Sequence, residues 1–239
     1  MFSLLPILLL TPNALLIISA VIPAVLLLIY VYRQDRLEKE SWRLIGKLVL
    51  FGAISTLAAQ FLENAGIALL PYITEAGSDM YYVLLFFVVV GLVEEGCKYF
   101  VLRWKTWNDP EFDCRFDGVV YACAVSLGFA LWENIAYVIS YGFGTALVRA
   151  VTAVPGHACF GVFMGAFYGT AAAHRSAGDD RAAAWCRRLG FLVPAVLHGI
   201  YDYIAGREEG LLMFILFVAA MFFVAVRIVK KMSAGDRHL

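Results

Sequence analysis

The chain has 239 residues, of which 62% are apolar and 16% are charged, and its mean hydropathy is +0.78. A soluble domain carries about 45–50% apolar and about 25% charged residues, so this composition excludes a disordered chain, a coiled coil and a water-soluble enzyme. The 19 basic and 19 acidic residues cancel. With no net basic field, we expect no nucleic-acid partner, and the lipid bilayer is the expected environment.

Seven stretches are long and apolar enough to cross a membrane, since a spanning helix needs about 20 mainly apolar residues. In chain order they are 11–32, 44–70, 81–102, 118–141, 146–173, 189–206 and 211–229. The apolar stretch Leu4–Leu10 is too short to span alone, and no basic segment precedes it, so no cleavable signal peptide is expected. The sequence predicts an all-α integral membrane protein, a bundle of about seven transmembrane helices that forms a single domain over residues 1–239.

The basic residues between these stretches are distributed unevenly. The first, third and fifth connections and the C-terminal tail contain 15 lysines and arginines, whereas the other three connections contain only Arg207. Cytoplasmic connections of membrane proteins carry an excess of lysine and arginine. We therefore expect the N-terminus outside and the C-terminus in the cytoplasm. All connections are short, so the function is expected to lie within the helices.

Charged and titratable side chains occur inside four consecutive spans, within residues 81–206. An intramembrane charge costs about 2.5–3.5 kcal/mol on insertion scales, so such residues are usually paired or functional. They are Glu94, Glu95 and Lys98 in the third span, Glu133 in the fourth, His157 in the fifth, and His198 and Asp202 in the sixth. Lys47, Glu63 and Arg149 lie nearer to predicted span ends, where we expect their side chains to extend to the interface.

Glu94 and Glu95 form the densest group together with Lys98, which lies one helical turn after both. Adjacent helical residues point in different directions, so one carboxylate can pair with Lys98 while the other faces a cavity. A carboxylate in that position suits a general base or acid. The alternative is an internal salt bridge that only makes Lys98 tolerable, but this explains one glutamate and not two.

His198 and Asp202 are spaced i, i+4, which brings both side chains to one face of a helix. Asp202 can then orient the imidazole or bind a metal ion beside it, and a purely structural His–Asp pair is the alternative. Phe129 lies one turn before Glu133 on the same face. Glu133 alone could also be a structural hydrogen-bonding group between helices.

His157 begins a row of small residues at steps of four, continued by Gly161, Gly165 and Gly169. Rows of small residues allow helices to approach closely within a membrane. We therefore expect His157 to face the bundle rather than lipid. A lone histidine on an apolar helix is usually structural, and only the polar residues of the neighbouring spans favour a functional role.

Acids and histidines on four neighbouring helices are typical of a hydrolytic site or of an ion pathway. Serine hydrolysis is poorly supported, since no Gly-x-Ser-x-Gly is present, and a cysteine nucleophile would need a histidine partner that the sequence does not place. A water activated by a glutamate, with histidines or a bound metal stabilising the oxyanion, is the more economical hydrolytic mechanism. The alternatives are a transporter or proton relay, although the chain lacks the twin halves common in transporters, and a non-catalytic membrane scaffold.

The order of these motifs resembles the PrsW intramembrane proteases, within the superfamily of CAAX proteases and bacteriocin-processing enzymes. That superfamily has a glutamate pair in one helix, Phe-x-x-x-His or Phe-x-x-x-Glu in the next, a histidine in a third, and His-x-x-x-Asp or His-x-x-x-Asn in a fourth. This chain shows Glu94-Glu95-x-x-Lys98, Phe129-x-x-x-Glu133, His157 and His198-x-x-x-Asp202 in that order. Glu133 and Lys98 favour the PrsW branch over the prenyl-protein endopeptidases.

The resemblance implies proteolysis of a membrane-anchored protein at the bacterial cell membrane, and in this family the known type of substrate is an anti-sigma factor cut at a first site. It implies a catalytic site with supporting residues at the positions already described. On this resemblance, the expected catalytic residues are Glu94, Glu95, Glu133, His157, His198 and Asp202, and we expect Lys98 and Phe129 in supporting positions.

A metal cofactor is an open question for this set of residues. Glu133, His157, His198 and Asp202 are candidate zinc ligands in type and number. The sequence lacks His-Glu-x-x-His, so no helix with two preassembled histidine ligands is evident. We therefore favour a metal-free, glutamic-type mechanism and keep zinc as the alternative.

Overall fold

A computed structural model of the protein describes residues 12–207 and 210–239, with side chains from residue 17 onward. The helices are α1 (Pro12–Gln34), α2 (Trp42–Leu69), α3 (Asp79–Val83), a π-helical segment (Leu84–Leu92), α4 (Val93–Thr106), α5 (Asp117–Tyr141), α6 (Phe143–Val151), α7 (Ala153–Ser176), α8 (Asp180–Ala205) and α9 (Leu211–Ala234). A short 3₁₀ turn, Leu70–Tyr72, extends α2. The all-α prediction is confirmed, and the stretch Leu4–Leu10 lies outside the described residues.

Six segments of the described chain are long and apolar enough to cross a membrane. They are Ile17–Gln34, Trp42–Tyr72, Asp79–Thr106, Asp117–Tyr141, Phe143–Ser176 and Leu211–Ala234. The predicted sixth span, 189–206, lies in α8, which has 26 residues but is not one of the six. Helix α8 begins with charged residues and also carries His198 and Asp202, both of which reduce its hydropathy.

The predicted fifth span, 146–173, is two helices rather than one. Thr152 separates α6 from α7 with φ −122° and ψ −74°, outside the helical range. Pro155 explains the break, because a proline inside a continuous helix would clash with the carbonyl group four residues earlier. In the first turn of α7 its missing N–H costs no hydrogen bond. His157 consequently lies near the beginning of a helix.

Helices α5 and α7 pack closely against each other at the centre of the bundle. A Cβ atom at Gly161 would lie 3.0 Å from the Cα atom of Cys123, and one at Gly165 would overlap the carbonyl oxygen of Gly118. The close helix contact predicted from the glycine row is therefore confirmed. This contact also orients His157, whose side chain is buried in the bundle.

The connections that are rich in basic residues meet at one end of the bundle. The amide of Arg115 donates to the carbonyl oxygen of Arg237 over 3.1 Å, which joins the third connection to the tail. The amide of Ser41, in the first connection, donates to Glu111 over 3.2 Å. Arg175, at the end of α7, donates to a main-chain carbonyl of the third connection. The predicted topology requires the cytoplasmic connections to lie at the same end of the bundle, and these contacts agree with it.

Candidate active site

A cavity of about 380 Å³ lies inside the bundle, between α2, the π-helical segment and helices α4 to α8. Its size falls within the range of about 300–1,000 Å³ that is usual for ligand clefts. The acidic, basic and histidine side chains lining it are Glu63, Glu94, Glu133, Arg149, His157, His198 and Asp202. The structure therefore brings together polar residues from spans that are far apart in the sequence.

Lys98 is completely buried and lies between the glutamate pair and His157. Its Nζ atom is 3.0 Å from Oε2 of Glu94, 2.7 Å from Oε1 of Glu95 and 3.1 Å from Nδ1 of His157. It also lies 4.1 Å from the centre of the Phe129 ring. Removing an ammonium group from water costs several kcal/mol, and these contacts offset that cost. Lys98 pairs with both glutamates rather than with one.

Glu94 and Glu95 differ in what they face. Glu95 is fully buried, with its Oε1 atom bonded to Lys98 and, over 3.0 Å, to Nδ1 of His198. Its Oε2 atom is buried without a hydrogen-bond partner. Glu94 lines the cavity and keeps 6% of its surface exposed. Of the two carboxylates, Glu94 is the one available to a molecule in the cavity.

His157 connects Lys98 to Glu133. Its Nε2 atom lies 2.9 Å from Oε2 of Glu133, while its Nδ1 atom faces Lys98. Glu133 is also 3.1 Å from Nη2 of Arg149, whose Nε donates to Asn134 over 2.9 Å. The expectation that Arg149 extends to the interface is therefore wrong. Arg149 reaches into the cavity because α6 is a separate helix that lies beside α5.

His198 is held between two acids. Its Nδ1 atom faces Glu95, and its Nε2 atom lies 3.4 Å from Oδ2 of Asp202. A carboxylate can only accept a hydrogen bond, so Nδ1 carries a proton. The ring of Phe160 stacks on the imidazole with a centroid distance of 4.7 Å. These contacts fix the orientation of the ring.

The π-helical segment packs tightly against α8 next to His198. A Cβ atom at Gly91 would lie 2.7 Å from the carbonyl oxygen of Ala195, and one at Gly199 would lie 2.6 Å from Cδ1 of Phe87. Both glycines thus permit the close approach of the two backbones. π-Helical turns are frequent at functional sites, and this one ends two residues before Glu94. The sequence pattern predicted an ordinary helix here.

Glu63 belongs to the cavity as well, which corrects the expectation that it extends to the interface. It lines the cavity from α2, and its Oε1 atom is buried without a hydrogen-bond partner. Thr56 and Gln60 lie on the same wall. Thr56, Gln60 and Glu63 are spaced so that they lie on one face of the helix. This polar stripe along an apolar span could have indicated that Glu63 faces the interior of the bundle. Lys47, by contrast, is exposed.

The site lies toward the end of the bundle opposite to the basic connections. His157 follows the beginning of α7 by four residues, and Asp202 precedes the end of α8 by three. Glu133 precedes the end of α5 by eight residues. At about 1.5 Å per residue, these three side chains lie within roughly 5–12 Å of that end, whereas Glu94 follows the beginning of α3 by 15 residues and lies deeper in the bundle.

Around the cavity, two groups of donor atoms in the described part of the chain lie close enough together to hold a metal ion, with all atoms of a group within 4.8 Å of one another. They are Glu94 with Glu133 and His157, and Glu94 with Glu95 and His198. Three such nitrogen and oxygen ligands are what a catalytic zinc site commonly uses, so the donors fit in type and number. Asp202 belongs to neither group. In each group a protein cation, Lys98 or Arg149, already bonds to a carboxylate and would compete with the metal.

Comparison with known proteins identifies the family. Residues 40–227 match the model of the PrsW family intramembrane metalloproteases. Protease PrsW of Geobacillus kaustophilus is 34% identical over 93% of this chain and 94% of its own length, and that of Bacillus subtilis is 33% identical over 90% and 94%. Protease PrsW of Oceanobacillus iheyensis is 36% identical over 78% of this chain and 80% of its own length. No solved structure matches the chain. The chain, a multi-pass protein of the bacterial cell membrane, therefore belongs to the PrsW family of intramembrane proteases.

Proposed function

We propose that the protein hydrolyses a peptide bond in a membrane-anchored protein by means of a water molecule that Glu94 activates. The observation that carries this proposal is the position of Glu94, a carboxylate that faces a cavity inside the bundle and is held by the buried Lys98. The family membership supports the peptidase activity, and the geometry of the cavity supports the role of each residue.

Glu94 acts as the general base in this mechanism. It takes a proton from water while the water oxygen attacks the carbonyl carbon of the scissile bond. It then gives that proton to the nitrogen of the departing amine. Proton transfer by a positioned side chain contributes about 10²–10⁴-fold in rate. Lys98 fixes the direction of the carboxylate through the hydrogen bond between Nζ and Oε2.

His198, protonated on both ring nitrogens between the carboxylates of Glu95 and Asp202, stabilises the negative charge that develops on the carbonyl oxygen by donating from Nε2. Its Nδ1 atom is tied to the buried Glu95, so the ring cannot rotate away when the charge forms. Donors that are oriented in advance of the reaction stabilise an oxyanion more effectively than mobile water does. Glu95 and Asp202 are positioning residues here, because they act through the imidazole.

A metal ion, where one is bound, would be held by Glu94 with either Glu133 and His157 or Glu95 and His198, and would supply a Lewis acid for the carbonyl oxygen. The presence of Lys98 and Arg149 at these carboxylates supports the metal-free mechanism as the first choice.

The substrate is a protein with a membrane anchor, cut near the outer end of its span. The position of the cavity near the end opposite to the basic connections supports this location of the bond. A helix uses its own peptide groups for hydrogen bonds, so the bond to be cut must lie in an unwound part of the substrate. The resemblance of the motifs to the PrsW family supports an anti-sigma factor, cut at a first site, as the natural substrate.

The purified protein, reconstituted in liposomes with single-span model substrates that differ in their outer flanking sequences, tests this function. We expect the wild type to cleave at least one of them, and Glu94→Gln to lower kcat at least about a hundredfold. Glu38→Gln, an exposed acid of the first connection, is the matched control and should cleave normally.

Proton flux measured with a pH-sensitive dye in the same liposomes distinguishes the alternatives. Flux without cleavage of any substrate would indicate a proton relay. Normal cleavage by the correctly folded Glu94→Gln variant would remove Glu94 from the role of base.

A further inference from the structure

Three carboxylates meet at the end of the bundle that is remote from the cavity. Asp35 and Glu40 belong to the connection between α1 and α2, and Asp117 begins α5; they are 1%, 5% and 1% exposed. One oxygen atom from each lies within 4.8 Å of the others. Asp117 precedes Glu133 by 16 residues of α5, which corresponds to about 24 Å. The group is therefore separate from the candidate active site.

The hydrogen bonds within this group leave Asp35 without a partner. The hydroxyl of Tyr121 donates to Oε2 of Glu40, and the amide of Cys114 donates to Oδ2 of Asp117 over 2.6 Å. Both carboxylate oxygens of Asp35 are buried without a hydrogen-bond partner. A buried carboxylate that is neither bonded nor paired is costly, and each such group requires an explanation.

No ion pair compensates the three charges within the part of the chain that the structure describes. Lys39, the basic residue of the same connection, donates to the main-chain carbonyl oxygens of Tyr32, over 2.7 Å, and of Asp35. Asp236 of the tail adds a negative charge, and its Oδ2 atom is also buried without a partner. Burial raises the pKa of Asp35 to about 6, with the charge of Lys39 opposing this shift and that of Asp236 adding to it, and burial raises the pKa of Glu40 to about 7.

We propose that Asp35, Glu40 and Asp117 bind a hard divalent cation, Mg²⁺ or Ca²⁺, that joins the first connection to the beginning of α5. Both ions prefer carboxylate oxygens, at about 2.0–2.1 Å for Mg²⁺ and about 2.3–2.6 Å for Ca²⁺. Oxygens on opposite sides of such an ion are about 4–5 Å apart, in agreement with the spacing of this group. The two carboxylate oxygens of Asp35, which have no hydrogen-bond partner, are available as ligands for the cation.

In the alternative, the carboxyl groups share a proton and bind no cation. A bound cation and a shared proton predict opposite effects of Asp35→Asn on stability. If a cation binds, the substitution removes a ligand and lowers stability in the presence of the cation. If no cation binds, it removes an uncompensated buried charge and raises stability in any buffer.

Thermal unfolding of the full-length protein in detergent, after treatment with EDTA, tests the site in separate arms with MgCl₂ and CaCl₂. We expect one of them to raise the Tm of the wild type by about 5–10 °C at a cation concentration roughly a hundredfold above the dissociation constant. The shift should disappear in Asp35→Asn. It should persist in Glu38→Gln, the exposed acid of the same connection, and in Glu94→Gln, which removes a donor from the cavity instead.

Terbium luminescence gives a second measurement that uses the wild type. The hydroxyl of Tyr121 bonds to Glu40, so excitation of tyrosine should sensitise Tb³⁺ bound at this site. The site is supported if Mg²⁺ or Ca²⁺ displaces the bound Tb³⁺ and so reduces its emission, and if Glu40→Gln abolishes that emission. This result would support the site even if Asp35→Asn fails to fold. The proposal is overturned if neither cation shifts the Tm of the wild type, if the shift remains in Asp35→Asn, or if that variant is more stable than the wild type in every buffer.

Discussion

The ammonium nitrogen of Lys98 lies 3.1 Å from Nδ1 of His157, a contact between α4 and α7. An ammonium group can only donate a hydrogen bond, so Nδ1 accepts it and carries no proton. The proton of the neutral imidazole is then on Nε2, directed at Glu133, which is 2.9 Å away. Lys98 thus sets the tautomer of His157 as well as the orientation of Glu94.

Replacing Lys98 by methionine should destabilise the protein strongly. The substitution keeps the length of the side chain but leaves Glu94 and Glu95 as uncompensated buried acids, and breaking a buried pair in this way costs about 3–5 kcal/mol. Equilibrium unfolding in detergent measures the loss. Lys47→Met, at an exposed position of α2, should change stability little. Equal stability of both variants would show that the glutamates do not depend on Lys98.

Substitutions of His198 and Asp202 should reduce cleavage by different amounts. His198→Ala removes the proposed oxyanion donor, and we expect kcat to fall by about 10²–10³, as for other donors of this kind. Asp202→Asn keeps a hydrogen-bonding side chain beside the ring, so a loss of about tenfold is expected. Steady-state kinetics on a model substrate gives both values. An equal loss in the two variants would assign Asp202 a direct part in the reaction.

Removal of zinc should leave the rate of cleavage unchanged if the mechanism is glutamic. The enzyme is treated with a zinc-selective chelator while Mg²⁺ and Ca²⁺ are kept in the buffer, so that the remote carboxylates are not disturbed. Element analysis measures the metal content before and after. Stoichiometric zinc, with activity lost on removal and restored on addition, would instead make Glu94 a metal ligand and the protein a metalloprotease.

The topology predicted from the basic residues can be tested with reporter fusions in connections between helices and in the tail. Fusions at Leu37, Gly178 and Leu239 should report the cytoplasm, since these segments lie at the end that carries the basic connections. A fusion at Gly77 should report the outside. Cytoplasmic signals from Gly77 together with outside signals from Gly178 would reverse the orientation.

The class of protein and most of the helices could be read from local sequence. Spanning length and hydropathy are properties of continuous segments, so six of the seven predicted spans agree with the segments that qualify in the structure. Pairs within one helix are also local, because the geometry of the helix brings Glu94 to Lys98 and His198 to Asp202. For the same reason, the four motifs could be recognised in their order along the chain.

The assembled bundle was needed to assign positions around the cavity. Which of Glu94 and Glu95 faces it depends on the rotation of α4 against α7 and α8, and no segment of sequence encodes that rotation alone. The inclusion of Glu63 and Arg149 likewise depends on how α2 and α6 lie against α5. Contacts such as that between Lys98 and His157, 59 residues apart, form only when packing between helices sets the distances.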